Sequence, residues 1–178
     1  MPVRYFAGSL VILVLLGGCV STPVTPDQMR EHIRANKMGG KLETFEVQRP
    51  YSAVTQNIKK KSEDCLNKTF QLTSKPSGLL TFGGAQDEGT TKYIPVSKIG
   101  PTSAEFYAKF WDSKARAVNT PAGDKFIFYI AEVTPKGRNA TSINLYSWTL
   151  ERYRWGGDLV KAWARGEDPG CPALEGLY

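Results

Sequence analysis

The hydrophobic period of this chain changes at Asn67, and that change limits the fold more than any other feature. Before it, Tyr51, Val54, Ile58 and Cys65 are spaced by 3, 4 and 7 residues, which puts them on one stripe of a helix. Pro50 suits the start of that helix, because the missing N–H has no intrahelical partner there. After Asn67 the period is two. Thr69 to Thr73, Lys92 to Ile99, Ala104 to Trp111, Lys125 to Val133 and Ser142 to Tyr153 all read as strands. Strands that follow one another through polar turns, without helices between them, form an antiparallel sheet and an α+β class.

The turns carry their own chemistry. Lys75-Pro76-Ser77-Gly78 leads the first strand into Leu79 to Phe82 as a hairpin, and Pro-Lys-Gly-Arg-Asn-Ala offers Gly137 and Asn139 for positive φ. Gly83 to Thr91 reads as a polar loop, and Pro95 marks its strand as an edge or a break. Ahead of the helix, Lys41 to Val47 alternates, with Phe45 and Val47 on one side. At the other end Asp158 reads as the N-cap of a short helix that turns Leu159, Ala162 and Trp163 inward and stops at Gly166. The expected architecture is one antiparallel sheet with a long N-terminal helix and a short C-terminal helix on one face. The strands from Lys125 to Tyr153 hold most of the aromatic residues and are expected at its centre.

The first forty residues are of a different kind. Tyr5 to Leu16 is an apolar run led by Arg4, and no other charge appears before Asp27. It stops at Gly17-Gly18, short of the roughly 20 apolar residues a membrane-spanning helix needs, so it reads as a secretory signal. Leu16-Gly17-Gly18-Cys19 resembles the lipobox of bacterial lipoproteins: a leucine three places before the cysteine, then two small residues. The resemblance implies that a diacylglycerol is attached to the Cys19 sulfur, that the leader 1–18 is removed, and that the new amino group is acylated. Several acyl chains together anchor firmly where one holds only marginally. Val20 and Ser21 after the cysteine imply, by the same family's sorting rule, an outer-membrane destination facing the periplasm.

Residues 19–40 form the lipidated tether. Ser-Thr-Pro-Val-Thr-Pro is a proline-rich spacer expected to hold the body off the bilayer. Thr25 and Gln28 form a capping box with Pro26 in the first turn, starting a helix with a narrow stripe of Met29 and Ile33. That helix is expected to run to about Met38, docking weakly or floating, with His32 solvated. Residues 41–178 are the globular domain. With Cys19 used by lipid, Cys65 and Cys171 remain as an even pair in an oxidising compartment, where a disulfide is expected.

Signatures of catalysis are sparse. The one histidine, His32, lies in the tether, so the domain holds neither a Ser-His-Asp nor a Cys-His set, and no His-containing zinc set. Gly-Gly-Ala-Gln-Asp-Glu-Gly follows a strand but opens no helix, which excludes a phosphate loop. Glu105 with Asp87 or Glu88 is the one candidate carboxylate pair for glycosidic chemistry. Asp87-Glu88 has too few companions for a calcium cage. The chain carries 23 basic against 17 acidic residues. Lys59, Lys60, Lys61, Lys68 and Lys75, or Arg152, Arg154 and Arg165, are candidate patches for anionic envelope surfaces; an exported protein has little occasion to meet nucleic acid.

The element order over residues 41–166 resembles the helix-grip arrangement of accessory lipoproteins of the outer-membrane barrel assembly machinery. The resemblance is one of element order and transfers no residue. It implies a non-catalytic interaction module of an envelope complex, without cofactor or metal, bound to the bilayer through Cys19 and to an envelope protein. The alternative is a carrier for an apolar or amphiphilic molecule, held in a cleft beneath Tyr51, Val54 and Ile58.

Overall fold

Helix gives way to sheet at Asn67, which follows the last residue of one element and precedes the first of the next. The computed structural model describes residues 22–35, 39–73, 88–113 and 123–174. In order these form α1 (Pro26–Arg34), β1 (Gly40–Val47), α2 (Tyr51–Leu66), β2 (Lys68–Thr73), β3 (Glu88–Ile99), β4 (Ala104–Asp112), β5 (Gly123–Pro135), β6 (Thr141–Trp148) and α3 (Glu151–Arg165). The strands make one six-stranded sheet in the order β1-β6-β5-β4-β3-β2, with every pair antiparallel. The leader, Cys19, Leu79 to Phe82 and residues 83–87 lie outside the described residues.

Alternation along β6 sorts the molecule into layers. Ile143 and Leu145 join a core with Val54 and Ile58 of α2 and Val160 and Trp163 of α3. Tyr146 and Trp148, of opposite parity, join Met29 and Ile33 of α1. Thus α2 and α3 cover one face and α1 covers part of the other. In β5 the parity slips: Ala108 pairs with Tyr129 but Lys109 pairs with Ile127, leaving Phe128 as a bulge. The slip lets Phe128 and Tyr129 both join the core under α2 and α3, while Ile127 and Ile130 face α1.

Four expectations are corrected by this arrangement. The tether helix neither floats nor docks weakly. Met29 is fully buried, and Ile33 is nearly so, and two such side chains contribute about 1.5–3 kcal/mol each. His32 is not solvated: it is 6 % exposed and meets the Trp148 ring edge-on at 5.3 Å. Thirdly, β3 already begins at Glu88, so Glu88 to Thr91 are strand, paired to β2 through Thr73 to Phe70. Pro95 has the edge position expected of it: it sits opposite Ala108 in β3, beyond the end of β2 at Lys68–Tyr93, so the strand is interior in its first half and an edge where the proline lies.

The fourth correction concerns α3. It starts at Glu151 after Leu150, not at Asp158, and its 15 residues nearly match the 16 of α2. Gly156-Gly157 looks like a break but serves close packing. A Cβ on Gly157 would lie 2.8 Å from the Ser147 Cβ, and one on Gly156 would lie 3.1 Å from Tyr129 Cδ1. The two glycines cost helix propensity, about 1 kcal/mol each, and let α3 lie against β5 and β6. Gly157→Ala is therefore expected to destabilise by about 1–3 kcal/mol despite its better propensity, read as a lowered urea midpoint; a gain in stability would contradict the close approach.

The expected cap of α1 and the glycine stops are present. Thr25 accepts from the Gln28 N–H while Gln28 Oε1 accepts from the Thr25 N–H at 3.2 Å. Gly166 ends α3 at φ 87°, and Gly137 turns β5 into β6 at φ 79°. At the end of α3 Arg49 donates to the Ala164 carbonyl at 3.1 Å, and Asn57 donates at 2.6 Å to the Trp163 carbonyl, which also accepts the Gly166 N–H. Among the described residues no helix is long and apolar enough to cross a membrane.

Candidate functional site

Two features stand out from the packed interior: a half-open aromatic cleft at the start of α3, and a charged clamp where α1 meets the sheet. The cleft, of about 240 Å³, is bounded by Tyr93, Phe110, Phe126, Phe128, Arg152 and Tyr153, with Lys125 and Thr22 at its margin. Its rings belong to one continuous cluster. Tyr93 stacks on Phe128 at 5.3 Å, Phe126 meets Phe128 edge-on at 5.0 Å, and Tyr153 lies 4.7 Å from Phe126. Phe126 and Phe128, two apart on β5, share this face by ordinary strand alternation. Arg152 lies over the Tyr153 ring at 4.7 Å. Apolar walls with two cations suit an amphiphile with an anionic head.

The clamp begins as an electrostatic problem. Glu105 and Glu132 are register partners on β4 and β5, and like charges directly opposite each other destabilise a sheet. Arg30 of α1 resolves it. Its guanidinium pairs with Glu105 and donates from Nε to Glu132 at 2.8 Å, with another nitrogen on Asp27 at 2.8 Å. Lys98 reaches Glu105 at 2.7 Å. Burial opposes ionisation of Glu105, but the hydrogen bonds from Lys98 and Arg30 outweigh it and hold the carboxyl below its ordinary value. A glycosidic general acid needs the reverse. An open groove of about 740 Å³ adjoins this clamp, lined by Arg30, Lys98, Ser103, Glu105 and Glu132 among others.

The expected residues are placed as follows. Cys65 and Cys171 stand at disulfide distance, 2.07 Å between sulfurs, joining the end of α2 to the segment after α3. Asp87 lies outside the described residues, as does the side chain of Glu88; the carboxylate that meets Glu105 is Glu132. Lys59, Lys60 and Lys68 are exposed, whereas Lys61 pairs with Asp168 at 2.5 Å; Lys75 lies outside the described residues. Arg152 and Arg154 share the start of α3, but Arg165 stands at its far end, about 20 Å away at 1.5 Å per residue. The three arginines form no single patch. Among the described residues no group of three His, Cys, Asp or Glu side chains is arranged to hold a metal ion.

The clamp was illegible because Arg30 is 75 and 102 residues from its partners. The cleft had a partial signal in the density of rings on the later strands, but Tyr93, Phe110 and Tyr153 meet Phe126 and Phe128 only through pairing between distant segments. No protein-family model matches this sequence, and no curated protein matches it significantly.

Proposed function

We propose that this chain is an outer-membrane lipoprotein, anchored through acylated Cys19 on the periplasmic face, that acts as a non-catalytic interaction module of an envelope complex. The arrangement of β1, α2, the later strands and α3 supports a helix-grip reading, with α2 and α3 on one face of the sheet. The observation that carries the choice of module over carrier is the packed helix–sheet interface. Val54 and Ile58 are fully buried among Phe106, Ala131, Val133 and Ile143, so side chains fill the space beneath α2. Docking surface is available at the sheet's two edge strands and at the exposed Leu42, Ile99 and Leu150. A second reading, binding of an amphiphile, is favoured by the aromatic cleft, which lies at the start of α3 and not beneath α2.

The test is co-purification of the full chain from membranes in mild detergent after brief cross-linking. Recurrent recovery of one envelope protein near equal stoichiometry is the expected result. A bound lipid with no protein partner would favour the second reading. Hydrolysis of cell-wall or ester substrates by the purified protein, with neither partner nor lipid, would overturn both.

A further inference from the structure

Strand β1 closes one side of the sheet, and among the described residues β6 is its one strand neighbour. Its register with β6 runs from Gly40–Trp148 to Val47–Thr141 without a slip. The strand has neither proline nor bulge, two devices that keep an edge from pairing again. The Gly39 carbonyl accepts the Thr149 N–H at 2.8 Å. Residues of odd number therefore turn their backbone groups to β6, and Gly40, Leu42, Thr44 and Glu46 turn theirs outward. Among the described residues no strand takes up these outward groups.

The side chains of β1 alternate too. Lys41, Glu43 and Phe45 share the face of α2 and α3, where Glu43 pairs with Lys41 at 3.0 Å and with Lys161 of α3 at 2.5 Å. Leu42, Thr44 and Glu46 share the other face and are exposed. Leu42 is 45 % exposed although Tyr146, its register partner on β6, is buried. An apolar side chain thus stands uncovered on the open edge, flanked by a cation and an anion.

A strand added antiparallel matches outward residues to outward residues. For a second copy of β1 this puts a two-fold axis normal to the sheet, through one residue of the strand. With the axis at Lys41 or at Glu43, like charges meet, which destabilises the pair. With the axis at Thr44, Leu42 meets Glu46 and Lys41 meets Val47. With the axis at Leu42, Lys41 of each copy meets Glu43 of the other, Gly40 meets Thr44, and Leu42 meets Leu42. Opposite charges then lie across the seam, and the exposed leucine covers its own copy. The charges that repel a strand of another sequence select this one.

We propose that β1 is a homodimerisation edge: two copies pair antiparallel with Leu42 on the two-fold axis, their sheets join into one, and Lys41–Glu43 pairs across the seam fix the register. An axis normal to the sheet leaves its faces unchanged, so α1 lies on the same face in both copies. Ile99 and Leu150 stay exposed for another partner. The pairing goes beyond the envelope role proposed above and does not depend on lipid at Cys19.

The experiment oxidises intact cells that make the full chain with Leu42→Cys or, separately, with Thr44→Cys, both at exposed positions. In the proposed register the two copies of residue 42 are about 5.5 Å apart between Cα atoms, a separation a disulfide spans. The two copies of residue 44 are offset by four residues, roughly 14 Å at ~3.4 Å each, which no disulfide spans. A reducible dimer is expected from Leu42→Cys, at least fivefold above that from Thr44→Cys and from the unsubstituted chain. Within the Leu42→Cys chain, Lys41→Glu and Glu43→Lys each set like charges across the seam, and each is expected to lower the dimer about fivefold or more. Made in one cell as two differently tagged chains, these two variants face each other with opposite charges, and the mixed dimer is expected to return. A Leu42→Cys dimer no stronger than that of Thr44→Cys or of the unsubstituted chain overturns the proposal, and so does a mixed pair that shows no recovery. If a charge variant does not fold, the comparison of Leu42→Cys with Thr44→Cys decides alone.

Discussion

Loss of the Cys65–Cys171 bond is expected to lower the unfolding free energy by about 4–5 kcal/mol, the chain-entropy value for a closed loop of about 100 residues. The two cysteines are 106 residues apart, so the bond constrains most of the described body in the unfolded state. It ties the last turn of α2 to the segment after α3, where Leu174 is buried and its carbonyl accepts from Tyr93 Oη at 3.4 Å. The bond shares the placing of that tail with the buried Leu174 and the Lys61–Asp168 pair. Replacing both cysteines by alanine avoids leaving a lone thiol. Cys65 is 3 % exposed and Cys171 is at the surface, so the cavity left by the substitution is small. Urea unfolding of the wild-type and double-alanine proteins measures the effect. For a chain of this size the melting temperature is expected to fall by about 10–20 °C. A change below 1 kcal/mol would show that the loop is already constrained by other means.

Removing Arg30 is the second large effect. Arg30→Ala leaves Glu105 and Glu132 opposed and partly buried, with Lys98 still on Glu105, which is expected to cost about 2–3 kcal/mol, less than a fully buried pair. The loss is expected to be local first. Amide exchange in α1 should quicken well before the sheet responds, because α1 is held by two apolar side chains, its cap and this clamp. Adding Glu105→Gln to Arg30→Ala should recover part of the loss, since the repulsion that Arg30 relieves is then gone. If the double variant is as unstable as the sum of the singles, the clamp is not what α1 contributes.

The same clamp gives a sign for pH. The folded state binds a proton at Glu105 less readily than the unfolded chain does. Its contribution is therefore complete above the ordinary glutamate value of 4.5 and fades as pH falls through the lower folded value. Glu43 behaves alike: burial resists its charge, and the hydrogen bonds from Lys161 and Lys41 prevail. Acid should loosen α1 from the sheet before the core fails. Amide exchange of residues 26–34 measured from pH 6 down to pH 3 checks this, and faster loosening toward high pH would contradict it.

Much of the fold could be read from spacing. The stripe of Tyr51, Val54, Ile58 and Cys65, the box at Thr25, the alternation of Ala104 to Trp111 and the stops at Gly166 and Gly137 are local signals whose physics is complete within a few residues. The cysteine pair was legible once Cys19 was assigned to the leader's lipobox pattern, which left Cys65 and Cys171 to join. What spacing does not carry is partnership across the sheet. Gly156-Gly157 reads as a break until Ser147 and Tyr129 lie beneath it. Phe128 reads as one more alternating residue until β4 skips it, and with that skip Tyr129 joins it in the core. His32 and Arg30 read as polar surface on a sparse helix until Trp148, Glu105 and Glu132 come to meet them. The cleft and the clamp both depend on pairing between distant segments.

One measurement bears most directly on the whole account: the intact mass of the protein extracted from envelope membranes, beside that of Cys19→Ser. The wild-type chain should begin at residue 19 and carry a diacylglyceryl group and a further acyl chain, while the serine variant keeps its leader and has no added lipid. An unlipidated wild-type chain, or a serine variant with the same processed mass and the same hold on the membrane, would contradict it.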